Sequence, residues 1–589
     1  MSGIFAYAGS EPCRERLAEG LCRLAHRGSE LSGMAVLGDE GIALLKMKGS
    51  PYELKDKLAA MKGEGSVGLA ACTDAVRCRA ANITAVPAAN NFYCAALDGT
   101  IENFDELKRT LSTPFPIATE EDLLVALLCS FADAERPKML FELRRRLKGA
   151  PSLVFIPNDE AALYCLAGER RLAVGIGEDG VAVASEMTAL PDGTKRCFWL
   201  EEGETARITA QRYTVYDGKQ RKSKKALQPQ PNADRAENDC TPEEETYLLP
   251  LAVRETVGHF ITADAKLKKD SVPLGRRTLE KTERVIFIGS GADFDVAAMA
   301  AQRFELLCDL PCTAVPSGEL RFSKACFNKN TLLLAVSHRG EDAETLSAVK
   351  YARGYGVRVV AVTANRASQL AAFADETVDT CCELTNAQTS LRALFSSYLA
   401  LTFLALYFSY RREIAGELYV SVSLKMAEML TGKVAAALRP SPPLHALSQR
   451  IINAERLLVT GLGADYFAAS AAAARLRRMD AVPAYAMTCG ALLHETADSI
   501  AAAEIIAFLT DGDALHRTLF CLRRLKAQGA SVTVITTDSL EESVTDFEQL
   551  VTFPDSIPLL NAIPALACLD KAAVLAKQLM DEELQNQAG

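Results

Sequence analysis

One pattern of apolar and polar positions occurs twice in the second half of the chain. Residues 285–300 read VIFIGSGADFDVAAMA, and residues 457–472 read LLVTGLGADYFAASAA. In each, an apolar run of strand type leads into a Gly-x-Gly turn and then into an alanine-rich helix. A helix that starts at such a turn directs its first N–H groups and the positive end of its dipole at one point. The pattern therefore predicts two copies of a phosphate-binding α/β unit.

The two copies keep one register. The spacing that separates Gly289 from Gly461 also separates Gly340 from Gly512, and we call this constant spacing the repeat register. Helices of about 12 to 20 residues separate short β-branched strands, which is the pattern of a parallel sheet wound on both faces. The predicted strands are residues 285–288, 331–336, 357–363, 457–460, 504–509 and 531–537. Ligands of such sheets bind at the carboxyl ends of the strands.

The first part of the chain has a different pattern. Short runs of β type alternate there with helices such as 14–24 and 121–132, which favours stacked sheets with helices outside. A charged, Pro-containing stretch then reads as a linker, and Thr241-Pro242-Glu243-Glu244 is a strong helix start. The predicted domains and connections are residues 1–217, 218–240 (linker), 241–412, 413–443 (helical bridge) and 444–589.

One segment has the composition of a membrane span. Residues 393–410 carry no charge, and an uncharged run of this length is only just long enough to cross a bilayer. Ser396, Ser397 and Thr402 interrupt the segment, and the domain repeat requires a buried helix at this place. We therefore predict a buried helix and no membrane association.

Composition limits the classes of molecule that the chain is expected to bind. A net charge of −10 over 589 residues leaves no basic face for a nucleic acid. The 17 cysteines contain no CxxC pair, so neither a metal site nor a disulfide framework is expected, and reduced thiols in the cytoplasm are predicted. The apolar run at the N-terminus is too short for a signal peptide. Small ligands remain as candidates.

Several motifs resemble one enzyme family over nearly the whole chain. The segments FIGSGADF, SGELRF, SHRGEDAETL and GALLH, with residues 26–36, 98–107 and 198–204, resemble glutamine:fructose-6-phosphate aminotransferase, the isomerizing enzyme that makes glucosamine 6-phosphate. The resemblance implies a fold of mixed α/β and α+β class. An N-terminal Ntn-type stacked-sheet (αββα) domain of class II glutaminase type would precede two doubly wound parallel-sheet sugar isomerase (SIS) domains. It also implies a cytoplasmic homodimer and no cofactor.

The glutaminase motifs of that family are altered here. Its nucleophile is a cysteine exposed when Met1 is removed, with the free α-amine as base, and the matching residue is Ser2. Serine also acts as a nucleophile in N-terminal-nucleophile hydrolases, but its hydroxyl is far less acidic than a thiol. The family's Asn-Gly pair, whose amide stabilises the oxyanion, corresponds to Asp98-Gly99, and a carboxylate would repel that charge. The substrate-gripping positions hold Thr73, Asp74 and Glu121. We predict a folded domain without glutaminase activity.

The sugar-phosphate positions lie mostly in the first SIS domain. The predicted substrate-binding residues are Gly291, Ser337, His338, Arg339, Gly340, Glu341 and Arg392. Arg339 could hold a phosphate with two parallel hydrogen bonds, whereas Asp293 and Asp342 oppose an anion and are typical helix caps. Two interpretations stay open. The two loops either bind a phosphate, or they are self-capped and hold no ligand because Asp293 and Asp342 accept hydrogen bonds from the loop amides themselves. Arg392 stands where the family has a lysine, and either a sugar or an acidic neighbour would suit it.

Isomerisation requires a base, and the family's Lys-x-x-Glu motif supplies it. The matching residues run from Arg475 to Arg478, and a guanidinium does not act as a base near neutrality. His494 falls on the family's ring-opening histidine. The family's Schiff-base lysine lies in a closing tail. Here Lys577 is the last lysine, and the acidic residues 581–589 follow it.

Two classes of function compete on these grounds, an enzyme and a binding protein. The enzyme would be a glucosamine 6-phosphate synthase or a related isomerase that uses His338, Arg339 and His494. The binding protein would bind a sugar phosphate of the fructose 6-phosphate class without turning it over, with glutamine as an optional second ligand. A glutamine-independent deglycase is a third possibility. Because the nucleophile, the base and the lysine belong to independent steps, their joint alteration favours the binding protein.

Overall fold

A computed structural model of the chain describes residues 2–28, 30–61, 63–73, 86–113, 115–131, 135–218, 220–224, 241–268, 270–323, 327–384, 390–479, 482–501 and 503–588. The chain forms two compact units, Met1–Glu237 and Asn238–Gly589, and each is described by itself.

The first unit contains two antiparallel sheets of seven strands each. Its strands are β1 Ser2–Gly9, β2 Leu31–Gly38, β3 Gly41–Lys48, β4 Val67–Thr73, β5 Ala88–Ala89, β6 Tyr93–Asp98, β7 Ser152–Pro157, β8 Leu163–Leu166, β9 Leu172–Ile176, β10 Gly180–Ala184, β11 Arg196–Leu200, β12 Glu204–Ile208, β13 Tyr213–Asp217 and β14 Gln220–Lys222. The strand orders are β11-β9-β10-β1-β4-β2-β3 and β14-β13-β12-β8-β7-β6-β5.

Helices cover the outer faces of both sheets. They are α1 Arg14–Cys22, α2 Pro51–Asp56, α3 Phe104–Thr110, α4 Glu120–Ser130 and α5 Arg136–Arg146. Side chains alternate along β1, so that Ile4 and Ala6 join the core between the sheets while Phe5 and Tyr7 pack on the helix side. The predicted αββα arrangement is confirmed.

The predicted linker begins too early. Gln220–Lys222 forms β14 and pairs with β13, whereas residues 225–240 lie outside the described residues. Lys222 and Lys224 both contact the carboxylate of Glu204, which is 1% exposed. The start of the charged stretch is fixed against β12 because the buried carboxylate of Glu204 requires a counter-charge.

The second unit contains two parallel sheets of five strands. Their strands are β15 Arg284–Gly289, β16 Cys312–Pro316, β17 Thr331–Val336, β18 Arg358–Thr363 and β19 Glu376–Asp379, then β20 Leu457–Thr460, β21 Ala484–Ala486, β22 Glu504–Leu509, β23 Ser531–Thr537 and β24 Gln549–Phe553. The orders β16-β15-β17-β18-β19 and β21-β20-β22-β23-β24 are the same topology repeated. The predicted pair of doubly wound parallel sheets is confirmed.

The helices of this unit surround both sheets, and one core cluster contains residues of both sheets while two smaller clusters lie on their other faces. They are α6 Pro242–Phe260, α7 Arg276–Lys281, α8 Ala292–Cys308, α9 Ala343–Arg353, α10 Gln369–Phe373, α11 Leu391–Arg411, α12 Glu417–Glu428, α13 Leu430–Ala437, α14 Pro442–Asn453, α15 Ala464–Arg478, α16 Cys489–Leu492, α17 Ala497–Ala501, α18 Leu515–Ala527 and α19 Ala562–Ala588.

Two helix starts test the predicted boundaries. Thr241 caps α6 as expected, since its hydroxyl accepts from the Glu244 N–H at 3.2 Å and the Glu244 carboxylate accepts from the Thr241 N–H at 2.9 Å. The second start lies close to the boundary that we predicted after residue 443, since α14 begins at Pro442. Proline suits a first helical turn, where its missing N–H has no intrahelical partner in any case.

The apolar segment is a buried helix, as predicted. α11 is the one helix of the described chain that is long and apolar enough to cross a membrane, and 94% of its most apolar window is buried. Two of its hydroxyl groups, those of Ser396 and Ser409, make hydrogen bonds inside the core. Ser396 Oγ accepts from Thr256 Oγ1 at 2.9 Å. The segment therefore serves as the central helix of the first SIS domain.

Candidate functional site

Both glycine turns have the same unusual backbone. Gly291 has φ 57° and ψ −127°, and Gly463 has φ 60° and ψ −128°. Only glycine adopts this region readily, since it lacks a Cβ. Each glycine caps the helix that follows, α8 or α15. The duplicated sequence is thus a duplicated conformation.

A carboxylate closes each turn. Asp293 accepts a hydrogen bond from the His338 N–H at 3.2 Å, and Asp465, its equivalent in the repeat register, accepts from the Thr510 N–H at 2.9 Å. These bonds join the first helical turn to the loop after the neighbouring strand. Burial raises the pKa of Asp293 to about 7 and also raises that of Asp465. Asp293 is therefore a tie between loops and not the helix cap that we expected.

Asp342 is a helix cap, as expected. It accepts from the Thr345 N–H at 2.8 Å at the start of α9, and Ser290 Oγ donates to it at 2.9 Å. The amides of His338 and Thr345 are thus both bonded to carboxylates of the chain itself. Of the two open interpretations of this loop pair, the geometry favours the self-capped one for these amides.

The tie at Asp293 gives a pH dependence. Its folded-state pKa, about 7, lies above the unfolded value of 3.8, so its contribution to stability is complete below pH 3.8 and lost as the pH rises through 7. We expect the free energy of unfolding of the wild type, minus that of Asp293→Asn, to fall between pH 5 and 7. The slope should approach about 1.4 kcal/mol per pH unit. Urea unfolding at several pH values measures it, and parallel curves would contradict the assignment.

An ion pair lies beside the loop that is bonded to the second turn, since Asp511 directly follows Thr510. Arg303 of α8 donates to Asp511 at 2.9 Å and to the Pro558 carbonyl at 3.1 Å, and the side chains of Arg303 and Asp511 are 12% and 19% exposed. The repeat register places Arg339 of the first domain at the position of Asp511. The charge at this position is therefore reversed between the two domains.

Other predicted residues of the first turn have structural contacts. Gly340 has φ 68°, and a Cβ there would lie 2.2 Å from Ser368 Oγ. Glu341 accepts from the Gln369 N–H at 2.9 Å, which fixes the start of α10. Ser337 is 3% exposed at the end of β17. These three residues shape the loop that presents His338 and Arg339.

His338 is buried in a positive environment. It is 8% exposed, and neither ring nitrogen makes a hydrogen bond to the described residues. Burial, followed by the charges of Arg339 and Arg392, lowers its pKa to about 3. A contact with the backbone of Glu383, which does not meet the geometric limits of a hydrogen bond, acts in the opposite direction. Arg392 is 7% exposed at the start of α11, and its Nη1 lies 3.4 Å from a Glu383 carboxylate oxygen. The imidazole is therefore neutral at physiological pH.

In the first unit, Ser2 is enclosed. It is 2% exposed on β1, and its Oγ lies 3.1 Å from Thr73 Oγ1 on the neighbouring strand. Its carbonyl accepts from Arg27 Nε at 3.0 Å. Asp74 lies outside the described residues, and Glu121 is buried in α4. The hydroxyl at the nucleophile position is thus part of a hydrogen-bonded network.

The carboxylate of Asp98 is compensated by two arginines. Its two oxygens accept from Arg27 at 2.7 Å and from Arg170 at 2.6 Å, and Arg27 also contacts Glu186 at 3.2 Å. Asp98 is 1% exposed and Arg27 is 3% exposed. Gly99 next to it has φ 131°, and a Cβ there would lie 2.8 Å from the Pro151 backbone. The oxyanion position therefore holds a compensated ion-pair network.

Comparison with known proteins agrees with this architecture. The SIS domain model matches residues 278–408 and 450–560. The glutamine–fructose-6-phosphate aminotransferase [isomerizing] of Clostridium perfringens is 26% identical over 96% of this chain and 94% of its own length. That of Clostridium acetobutylicum is 25% identical over 90% of this chain and 89% of its own. The chain therefore contains two SIS domains and is similar to these isomerizing aminotransferases over most of its length. The resemblance predicted from the motifs is confirmed.

A solved structure shows the same fold. The C-terminal domain of glucosamine-fructose-6-phosphate aminotransferase from Francisella tularensis superimposes with a TM-score of 0.53 at 19% identity. It covers 58% of this chain and 97% of that domain.

The positions matched to the aminotransferase base lie in the core or on the surface. Arg475 pairs with Glu245 at 2.5 Å and with Asp570 at 3.0 Å, and so joins α15 to α6 and α19. Arg478 is exposed, and Lys577 pairs with Asp581 within α19. None of these contacts places a base beside the first glycine turn.

The predicted ring-opening histidine lies apart from the loop residues. His494 is exposed in the turn after α16, and no hydrogen bond or ion pair of the described chain joins it to the His338 loop. Nor do the described residues contain a group of three or more side chains able to hold a metal ion. The sequence analysis did not name Arg303 or Asp570 as candidate residues. The repeat register does pair Arg303 of α8 with Arg475 of α15, and this pairing was a signal that could have identified Arg303.

Proposed function

We propose that this chain binds a sugar phosphate of the fructose 6-phosphate class in its first SIS domain and has lost glutaminase and isomerase chemistry. The double ion pair at Asp98 carries the proposal. An oxyanion site requires donors that are directed at the developing charge. Arg27 and Arg170 direct their N–H groups at a permanent carboxylate instead.

The nucleophile position supports the loss of glutamine hydrolysis. The family's nucleophile is a thiol, and the hydroxyl of Ser2 is far less acidic and lies 3.1 Å from Thr73 Oγ1 in a buried network. Its 2% exposure further limits access for glutamine.

The second unit supports the loss of isomerisation. A base must lose its proton near neutrality, and an arginine does not. The residue matched to the family's base is Arg478, which is exposed. Arg475, at the motif's lysine position, is bound between two carboxylates inside the core and stabilises the fold.

Ligand binding is supported at one of the two glycine turns. In the second SIS domain Arg303 is paired with Asp511, whereas the first domain has buried polar atoms of His338 and Arg392 that lack a hydrogen-bond partner among the described residues. We therefore propose one ligand per chain. The free cysteines of the described residues and the family resemblance are the grounds for proposing a cytoplasmic homodimer.

The names of the relatives favour a second candidate, an active isomerizing aminotransferase, because the similarity extends over 90% or more of the chain. A glutamine-independent isomerase or deglycase would share the SIS pair and would be unaffected by replacement of Ser2.

Incubation with glutamine and fructose 6-phosphate distinguishes these candidates. We expect no glutamate and no glucosamine 6-phosphate above a no-protein control, together with a sugar-phosphate-dependent rise in the melting temperature. Robust formation of both products would establish the aminotransferase. Turnover of a fructosamine phosphate that is equal in the wild type and Ser2→Ala would establish the deglycase.

A further inference from the structure

The first SIS domain contains buried polar atoms that have no hydrogen-bond partner in the described chain. They are Nδ1 and Nε2 of His338 and Nε of Arg392, and these residues are 8% and 7% exposed. Buried polar atoms are almost always bonded, and such exceptions occur at functional sites. A bound ligand would supply the missing partners.

Three backbone N–H groups around these side chains already have hydrogen-bond acceptors. The N–H groups of His338, Thr345 and Gln369 already donate to the carboxylates of Asp293, Asp342 and Glu341. A phosphate placed in this amide cradle would have to displace three carboxylates and would be repelled by them. The cradle is therefore a poor site for the charge of a ligand.

The side chains beyond the cradle have the opposite charge. Arg339 and Arg392 both act on the His338 ring as positive charges. Arg392 has a weak counter-ion, because the Glu383 carboxylate lies 3.4 Å away and its side chain is 73% exposed. A neutral imidazole offers one donor and one acceptor, which suit an anionic oxygen and a neighbouring hydroxyl.

We propose that the anionic group of the ligand binds to the side chains of Arg392 and His338 and not to the amides of the glycine turn. The inference rests on the proposed function and specifies which atoms of that site hold the charge. The ligand is a polyhydroxylated anion, with a phosphate or a carboxylate as its charged group. A hydroxyl of the ligand occupies the second nitrogen of the imidazole.

Calorimetric titration of the full chain tests the assignment. The probes are fructose 6-phosphate and gluconate, which separate a phosphate from a carboxylate, and inorganic phosphate, which lacks the hydroxyl chain. We expect Arg392→Gln and His338→Leu each to weaken binding of the preferred probe at least tenfold. Asp293→Asn keeps an oxygen that can accept from the His338 N–H and removes only the charge of the cradle, so it should stay within threefold of the wild type.

The reverse result would overturn the inference. If the charge sat in the cradle, Asp293→Asn would tighten binding at least tenfold by removing a repelling carboxylate, and Arg392→Gln would have little effect. Failure of the wild type to bind any of the three probes would instead contradict the proposed function, and this inference with it.

Histidine-selective NMR of the wild type gives a readout that does not depend on the folding of a variant. The chain has six histidines, so the His338 ring signal can be assigned by its loss in His338→Leu. The preferred probe should shift that signal at the same concentration that saturates the calorimetric titration. Binding without a shift of the His338 signal would also overturn the inference.

Discussion

Replacement of Arg475 by glutamine is expected to lower the free energy of unfolding of the second unit by about 3–5 kcal/mol. The change leaves Glu245 and Asp570, which are 1% and 4% exposed, buried without their counter-charge. Urea unfolding followed by circular dichroism measures the loss. Hydrogen exchange should locate it in α6, α15 and α19, the three helices that the ion pairs join.

The same helix provides a matched control. Arg478 lies three residues later and is exposed, so Arg478→Gln should change stability by less than about 0.5 kcal/mol. Adding Asp570→Asn to Arg475→Gln removes one of the abandoned charges and should cost less than the sum of the single changes. Strict additivity of the two changes, or an equal effect of Arg478→Gln, would show that the buried network does not hold these helices.

The repeat in the sequence is informative to the level of single residues. The repeat register predicts both glycine turns, and Asp293 and Asp465 make the same bond in both. Local sequence suffices here because a Gly-x-Gly turn after a strand has few backbone solutions. The role of Asp293 nevertheless differs from the predicted helix cap, since the N–H that it accepts from belongs to a loop 45 residues away.

Charge compensation over long separations could not be predicted. The sequence shows a single carboxylate at residue 98, and its arginine partners are 71 and 72 residues distant. In the same way, Arg303 reaches Asp511 across 208 residues only because α8 of one SIS domain packs against the other. Such pairs depend on how elements pack, which a single sequence does not specify.

Asp98→Asn is expected to lower the stability of the first unit by about 3–5 kcal/mol and to give no glutaminase activity. Asparagine would restore the family's Asn-Gly pair, but Arg27 and Arg170 would then lie in a buried site with less negative charge to balance them. The single tryptophan of the chain, Trp199, lies on β11 of this unit, so its fluorescence reports the transition.

A pair that is exposed to solvent serves as the control for Asp98. Asp179 pairs with Arg16 at 3.1 Å and is 53% exposed, so Asp179→Asn should cost less than about 1 kcal/mol. Combining Asp98→Asn with Arg170→Gln should cost less than the two separate changes, since the second removes a charge that the first left unbalanced. If Asp98→Asn were instead neutral in stability and glutamate appeared, Asp98 alone would block an otherwise competent site. Ser2 would then have to act as the nucleophile, and the argument that the serine also prevents glutamine hydrolysis would be wrong.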